Sequence, residues 1–207
     1  MSSAVPYPVA ARELLRNSLF DAAIRELEAG PWARVTMGGV AAAAGVSRQT
    51  LYKEFGSREA FVQALVLREV DRFLDPIAPI IAARRDGPRA AIAQALEAFF
   101  LTAATHPLVR TAIAGEGSEE LLPLFTTRGG AVVHHAVGRL TAILLDNWPH
   151  VPPADAELFA ECMVRLAVSL AALPESPSGI SAPAIAEVFG PYVEHMTDAS
   201  AARAVGR

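Results

Sequence analysis

The chain has 207 residues, 52% of them hydrophobic and 19% charged, which is enough apolar material for one large domain or two small ones. No charge-free run approaches the ~18 residues of a membrane span, and the opening MSSAVPYPVAARELL lacks the basic head and apolar block of a signal peptide. The lone Cys162 excludes an internal disulfide, so a cytoplasmic protein is expected.

The formal net charge is −4, which argues against a polyanionic partner until it is counted by region. Residues 1–74 hold 9 basic and 8 acidic residues, whereas residues 75–207 hold 9 basic and 14 acidic. The N-terminal part alone has the sign a polyanion would meet.

Helical spacing dominates in chain order and alternating strand patterns are scarce. Leu15, Leu19, Ala22, Ala23 and Leu27 form an apolar stripe stopped by Gly30-Pro31. Short segments follow at 36–44 and 47–55, broken at Gly45 and Gly56. Ser57 then caps a longer helix with Phe61, Leu65 and Val70. The Pro- and Gly-rich stretch 76–88 reads as a hinge. Ile92, Leu96, Phe99 and Ala103 line a helix that stops at His106-Pro107. Short pieces are expected at 108–114 and 118–125. A long helix carries Val133, Val137, Leu140, Leu144 and Trp148. Two closing helices carry Phe159, Met163, Leu166 and Leu170, then Ile185, Val188, Phe189 and Tyr192. The fold class is all-α, with about nine or ten helices in a small N-terminal unit and a larger C-terminal one.

VAAAAGVSRQTL, residues 40–51, meets the demands of a helix-turn-helix. Ala41 is small where the two helices cross, and Gly45 tolerates φ > 0 in the turn. Val40, Val46 and Leu51 seal the wedge, and Ser47 is a good N-cap. Arg48 and Gln49 open the second helix, where base edges are read; Arg suits guanine and Gln adenine. Thr50, Tyr52 and Lys53 are placed for phosphates, which fix register without reading sequence. Thr36 caps the first helix, whose N-terminal amides favour an anion.

The run T-M-x-x-V-A-x-x-A-G-V-S-x-x-T-L-Y-x-x-F-x-S-R-E, residues 36–59, resembles the DNA-binding domain of the TetR/AcrR family of bacterial repressors. The resemblance covers about 50 residues; the rest matches in layout only. It implies a homodimer with a three-helix DNA-binding head, an inducer pocket in the C-terminal domain, and a dimer interface built by the last two helices. The domains expected are 1–56 for DNA binding, a linking helix 57–75, and 76–207 for ligand binding and dimerisation. LYKEFGSRE and HPLVRTAIAGEGSEELLPLFTTR are also similar to an actinobacterial subgroup associated with alkane-oxidation or lipid genes, which implies a fatty acid or acyl effector.

Two features depart from the family pattern. Gly38-Gly39 lie inside the first motif helix, each costing ~1 kcal/mol against Ala. Position 54 is Glu where the family has His or Tyr on the DNA backbone; a carboxylate there repels phosphate, and pairing with Arg58 is expected instead.

Phe99, Phe100, Ala103, Phe125, Val133, Val137, Trp148, Met163 and Leu166 are candidates for a ligand pocket or for plain core, and the family resemblance is what makes a cavity among them expected. His106 and His134 are candidate anchors for a ligand head or ordinary histidines. Adjacent His134 and His135 point apart, and no His pair at i, i+4 exists, so no metal and no cofactor are expected. Arg110 and Arg128 suit either a carboxylate ligand or a salt bridge. Glu116, Glu119 and Glu120 read as solvated charges, and Cys162 as buried. Phe159, Leu170, Val188, Phe189 and Tyr192 are candidates for the dimer interface.

The function expected is a ligand-responsive regulator, a repressor that leaves a palindromic double-stranded operator when a hydrophobic small molecule binds. The alternatives are a small-molecule binding protein and a drug-efflux regulator sensing aromatic or cationic compounds. An enzyme is not expected: GxGxxG, P-loop and HExxH patterns are absent.

Overall fold

The structure is a computed structural model that describes residues 6–114, 120–121, 123, 129–172 and 180–205. Among these are ten α-helices, one 3-10 turn and no strand. Helix α1 is Tyr7–Ala29, with a proline in its first turn; extended Gly30 ends it, and a 3-10 turn follows at Trp32–Arg34. Helices α2 (Met37–Ala43), α3 (Arg48–Phe55) and α4 (Arg58–Leu74) complete the N-terminal head. Residues 76–88 are not simply a hinge, because α5 (Ile77–Ala82) forms there and buries Ile77 and Ile81. Helices α6 (Pro88–Thr105) and α7 (Pro107–Ala114) meet at His106, since a residue before proline is pushed out of the helical region. Helices α8 (Gly130–Asn147), α9 (Pro153–Ala172) and α10 (Ala182–Val205) close the fold.

Two apolar clusters form the core. One gathers Leu19, Phe20, Val40, Leu51, Phe61 and Leu65 of the head, and it also takes in Leu108, Ala112, Leu121 and Val132 from further along the chain. The other joins α5, α6, α8, α9 and α10 through residues such as Ile81, Leu96, Leu144 and Phe159. Helix α4 belongs to both: Phe61, Val62, Leu65 and Val66 face the head, Leu74 faces the second cluster, and Val70 packs against each. Phe20, Phe55 and Phe61 tie α1, α3 and α4 together, with ring centroids 5.0–5.6 Å apart; such contacts add specific attraction to simple burial. Among the described residues no helix is long and apolar enough to cross a membrane.

Candidate nucleic-acid interface and ligand cavity

The α2–α3 turn is built as the residue types demand. Thr36 Oγ1 accepts from Gly39 N at 3.0 Å and caps α2. At its other end, Val46 N donates to Ala41 O and Gly45 N to Ala42 O, the paired bonds of a Schellman ending. Gly45 has φ +72°, a left-handed conformation that costs other residues steric energy. Ser47 Oγ accepts from Thr50 N at 3.0 Å, satisfying an amide at the start of α3.

Helix α3 buries Leu51 and presents Ser47, Arg48, Gln49 and Lys53 to solvent, with Thr50 and Tyr52 half-buried. The Arg48 guanidinium lies 5.3 Å from the Tyr52 ring centre, which keeps an otherwise floppy cation beside the helix. The capped start of α3 thus carries an exposed cation and an exposed amide side chain, Arg48 and Gln49.

Glu54 does not pair with Arg58. It accepts from Arg12 Nε at 2.8 and 2.9 Å and from Arg16 Nη1 at 2.8 Å, so both partners come from α1, 38 and 42 residues earlier. Burial pushes its carboxyl up, but the Arg16 and Arg12 hydrogen bonds and charges outweigh this and hold it below the ordinary value. Its charge is therefore compensated within the head. Arg58 instead contacts Glu120 at 3.0 Å and the Val35 carbonyl, and Trp32 Nε1 donates to the same Glu120 at 2.9 Å. Glu120 is thus a fastener between distant segments, not a solvated charge. No local spacing rule reaches either pairing.

Gly39 lies close to a side chain of α1, an approach that the sequence does not display. A Cβ built there would lie 2.7 Å from Glu26 Oε1 of α1, whereas one at Gly38 would meet nothing within 4 Å.

A cavity of about 150 Å³ lies between α4, α5, α6, α7, α8 and α9. Of the residues proposed from the sequence, Phe99, Val133 and Met163 line it, as does Phe159. Val137, Ala103 and Trp148 are buried in the core away from it, and Phe100 and Leu166 pack partly buried against that core. Phe125 and Arg128, like Glu116 and Glu119, lie outside the described residues. His134 is exposed and off the wall, and so is Arg110. His106 stands behind the wall: its Nε2 is 3.0 Å from Glu69 Oε2, and its ring packs 4.9 Å from that of Phe73. Sequence reasoning missed the α4 wall, Val66, Val70, Phe73 and Leu74; their helical spacing equally describes a plain core face.

The proposed interface residues divide. Phe159 is 2% exposed, stacked 6.2 Å from Tyr192 within the chain, and so faces its own domain. Leu170 and Phe189 pack partly buried on the second core cluster. Val188 is 73% exposed, Tyr192 39% and Leu158 56%. Cys162, one turn beyond Leu158, is exposed as well, not buried.

Comparison with known proteins places this geometry. Residues 19–65 match the family described as bacterial regulatory proteins, tetR family, and residues 87–191 match the bacterial tetracyclin repressor C-terminal domain. The HTH-type transcriptional regulator AlkX of Mycobacterium tuberculosis is 34% identical over 190 residues, 92% of this chain and 90% of that protein. This chain belongs to the TetR family. It is a DNA-binding transcriptional regulator with an N-terminal helix-turn-helix and a helical C-terminal domain. An uncharacterised HTH-type regulator of the same species is 30% identical over 208 residues, covering 92% and 89% of the two chains. The crystal structure of the TetR family repressor AlkX from a Dietzia strain, described as implicated in biodegradation of n-alkanes, superposes with a TM-score of 0.79 at 30% identity, covering 87% of this chain and 98% of that one.

Proposed function

We propose that this TetR-family regulator is a homodimeric repressor, released from a palindromic operator when a hydrophobic small molecule fills the cavity. The observation that carries the reading is the double membership of α4. Its first half packs the DNA-binding head, and its second half forms one wall of the cavity. A ligand that prefers a shifted α4 thereby moves the head as a unit, so affinity for two simultaneously engaged half-sites falls without local unfolding.

In this reading residues 1–56 bind DNA, 57–75 link, and 76–207 bind ligand and dimerise. Arg48 and Gln49 read base edges; Thr36, Ser47, Thr50, Tyr52 and Lys53 hold phosphates. Val188 and Tyr192, exposed on α10, meet a second copy. The alkane-related description of the Dietzia repressor supports a long apolar effector, of which a fatty acid or other acyl compound is one form.

The test is a fluorescence-anisotropy titration of the full chain on DNA from upstream of its own gene. Salt-sensitive, saturable binding that exceeds binding to scrambled DNA by at least about a thousandfold is expected. Equal affinity for both DNAs at low salt would sink the repressor reading.

A further inference from the structure

The ligand-responsive reading, on which this inference rests, leaves the chemical class of the effector open, and the wall of the cavity narrows it. Along α9, Phe159, Met163, Val164, Val168 and Ala171 line the space at helical spacing, a stripe about 18 Å long at 1.5 Å per residue. Val66, Val70, Phe73 and Leu74 of α4 line the same space. An apolar wall of that length suits an extended chain better than a broad ring system.

The charge on the wall is equally informative. Glu69 is the charged residue among those lining the cavity, and it is 4% exposed. Its carboxylate turns away from the space: Oε1 lies 2.6 Å from Arg68 Nη2 and Oε2 lies 3.0 Å from His106 Nε2. Only the aliphatic stem faces inward, so the cavity presents apolar atoms alone. An ionised head brought inside loses its hydration and finds no partner in exchange. A carboxylate would in addition sit beside the Glu69 charge. An ammonium would find that carboxylate already engaged by Arg68.

We propose that the effector is an uncharged linear chain compound, of the alcohol, ester or alkane type, lying along α9 with no ionised group inside the cavity. Among the long-chain compounds that the Dietzia comparison admits, this selects against free fatty acids and cationic surfactants.

Isothermal titration calorimetry of the full chain with decanol, decanoate, decyltrimethylammonium and cyclodecanol tests it, alongside DNA anisotropy with the same four compounds. Decanol is expected to bind at one site per chain, at least about tenfold more tightly than each of the others. The plugged variants Ala171→Phe and Val168→Phe are expected to lose decanol binding at least tenfold while keeping DNA affinity; a variant that no longer binds DNA is set aside in favour of the other, and unchanged decanol binding in the folded one overturns the assignment. Decanoate or decyltrimethylammonium binding as tightly as decanol, with release of DNA, would overturn the uncharged class but leave the ligand-responsive reading standing. Tight decanol binding that leaves DNA affinity untouched would overturn that reading and leave the class of cavity ligand intact.

Discussion

Glu54 of α3 is joined to Arg16 of α1 at 2.8 Å, with Arg12 completing a clamp on the same carboxylate. The pair locks the pitch of α3 against α1, and the Arg16 guanidinium also lies 4.5 Å from the Phe55 ring centre. Glu54→Ala leaves two cations facing each other without a counter-charge. We expect a loss of about 1–2 kcal/mol in the stability of the folded chain, moderated by the exposure of Arg12. Urea denaturation followed by circular dichroism measures it, and an unchanged midpoint would show the clamp to be ornamental.

The same clamp predicts an acid limb. Glu54 and Asp21 both have carboxyls held below their ordinary values: burial raises each, and the arginine hydrogen bonds and charges more than offset it. A depressed folded value means that the stabilisation is complete above the unfolded values of 4.5 and 3.8 and is lost as pH falls through the lower folded ones. Stability should therefore decline below about pH 4.5, and the decline should be shallower in Glu54→Gln and in Asp21→Asn. Parallel pH profiles for all three proteins would contradict this.

The two adjacent glycines of α2 should behave differently. Gly38→Ala adds a methyl in open space and gains helix propensity, so stabilisation by up to about 1 kcal/mol is expected. At Gly39 the new methyl makes the flexible Glu26 carboxylate, 2.7 Å from its position, swing aside, and this offsets part of the gain. A thermal melt showing equal stabilisation by both substitutions would remove the close approach as the reason for Gly39.

These contrasts mark what the sequence displays. The α2–α3 turn was legible because its determinants are local: Gly45 must be left-handed, Ser47 must cap, and Leu51 must face inward, all within seven residues. The fasteners of the head were not, because Glu54 with Arg12 and Arg58 with Glu120 join residues 42 and 62 apart, and many arginines had equal claim. The cavity was half legible. Phe99, Val133 and Met163 have the apolar character of a wall, but so do Phe100 and Val137 in the core. The difference between wall and core is where packing fails to close, and periodicity carries no record of that.

Glu69 is the charged side chain most committed to its surroundings. Arg68, 12% exposed, approaches it at 2.6 Å and also holds Asp21 of α1; His106 approaches from the α6–α7 junction. Glu69→Ala takes one of two carboxylates from the largely buried Arg68, Asp21 remaining, and leaves His106 Nε2 without its partner, for which a cost of about 1–3 kcal/mol is expected. Glu69→Leu in a chain also carrying Arg68→Leu should recover part of that loss, since apolar side chains replace the pair and Asp21 keeps Arg72. Equilibrium unfolding of the single and double variants decides, and a double variant less stable than Glu69→Ala would refute the argument.

The contact between two copies is testable through the residues the fold leaves bare. Val188 is 73% exposed on α10, Tyr192 lies one turn further on, and Leu158 with Cys162 forms an exposed pair at i, i+4 on α9. In an isologous interface each substitution acts twice, because the same patch occurs on both subunits. On the proposed interface Val188→Glu sets two like charges into one apolar contact, without touching the core of either chain. The expected result in sedimentation velocity is a shift from dimer to monomer. Operator affinity should fall by at least about a hundredfold with it, since loss of linkage between half-sites removes the second contact's effective concentration. Lys53→Ala, by contrast, should leave the dimer intact and lower the dependence of log K on log salt by about one per chain. A Val188→Glu protein that stays dimeric and binds the operator normally would move the interface off this face of α10.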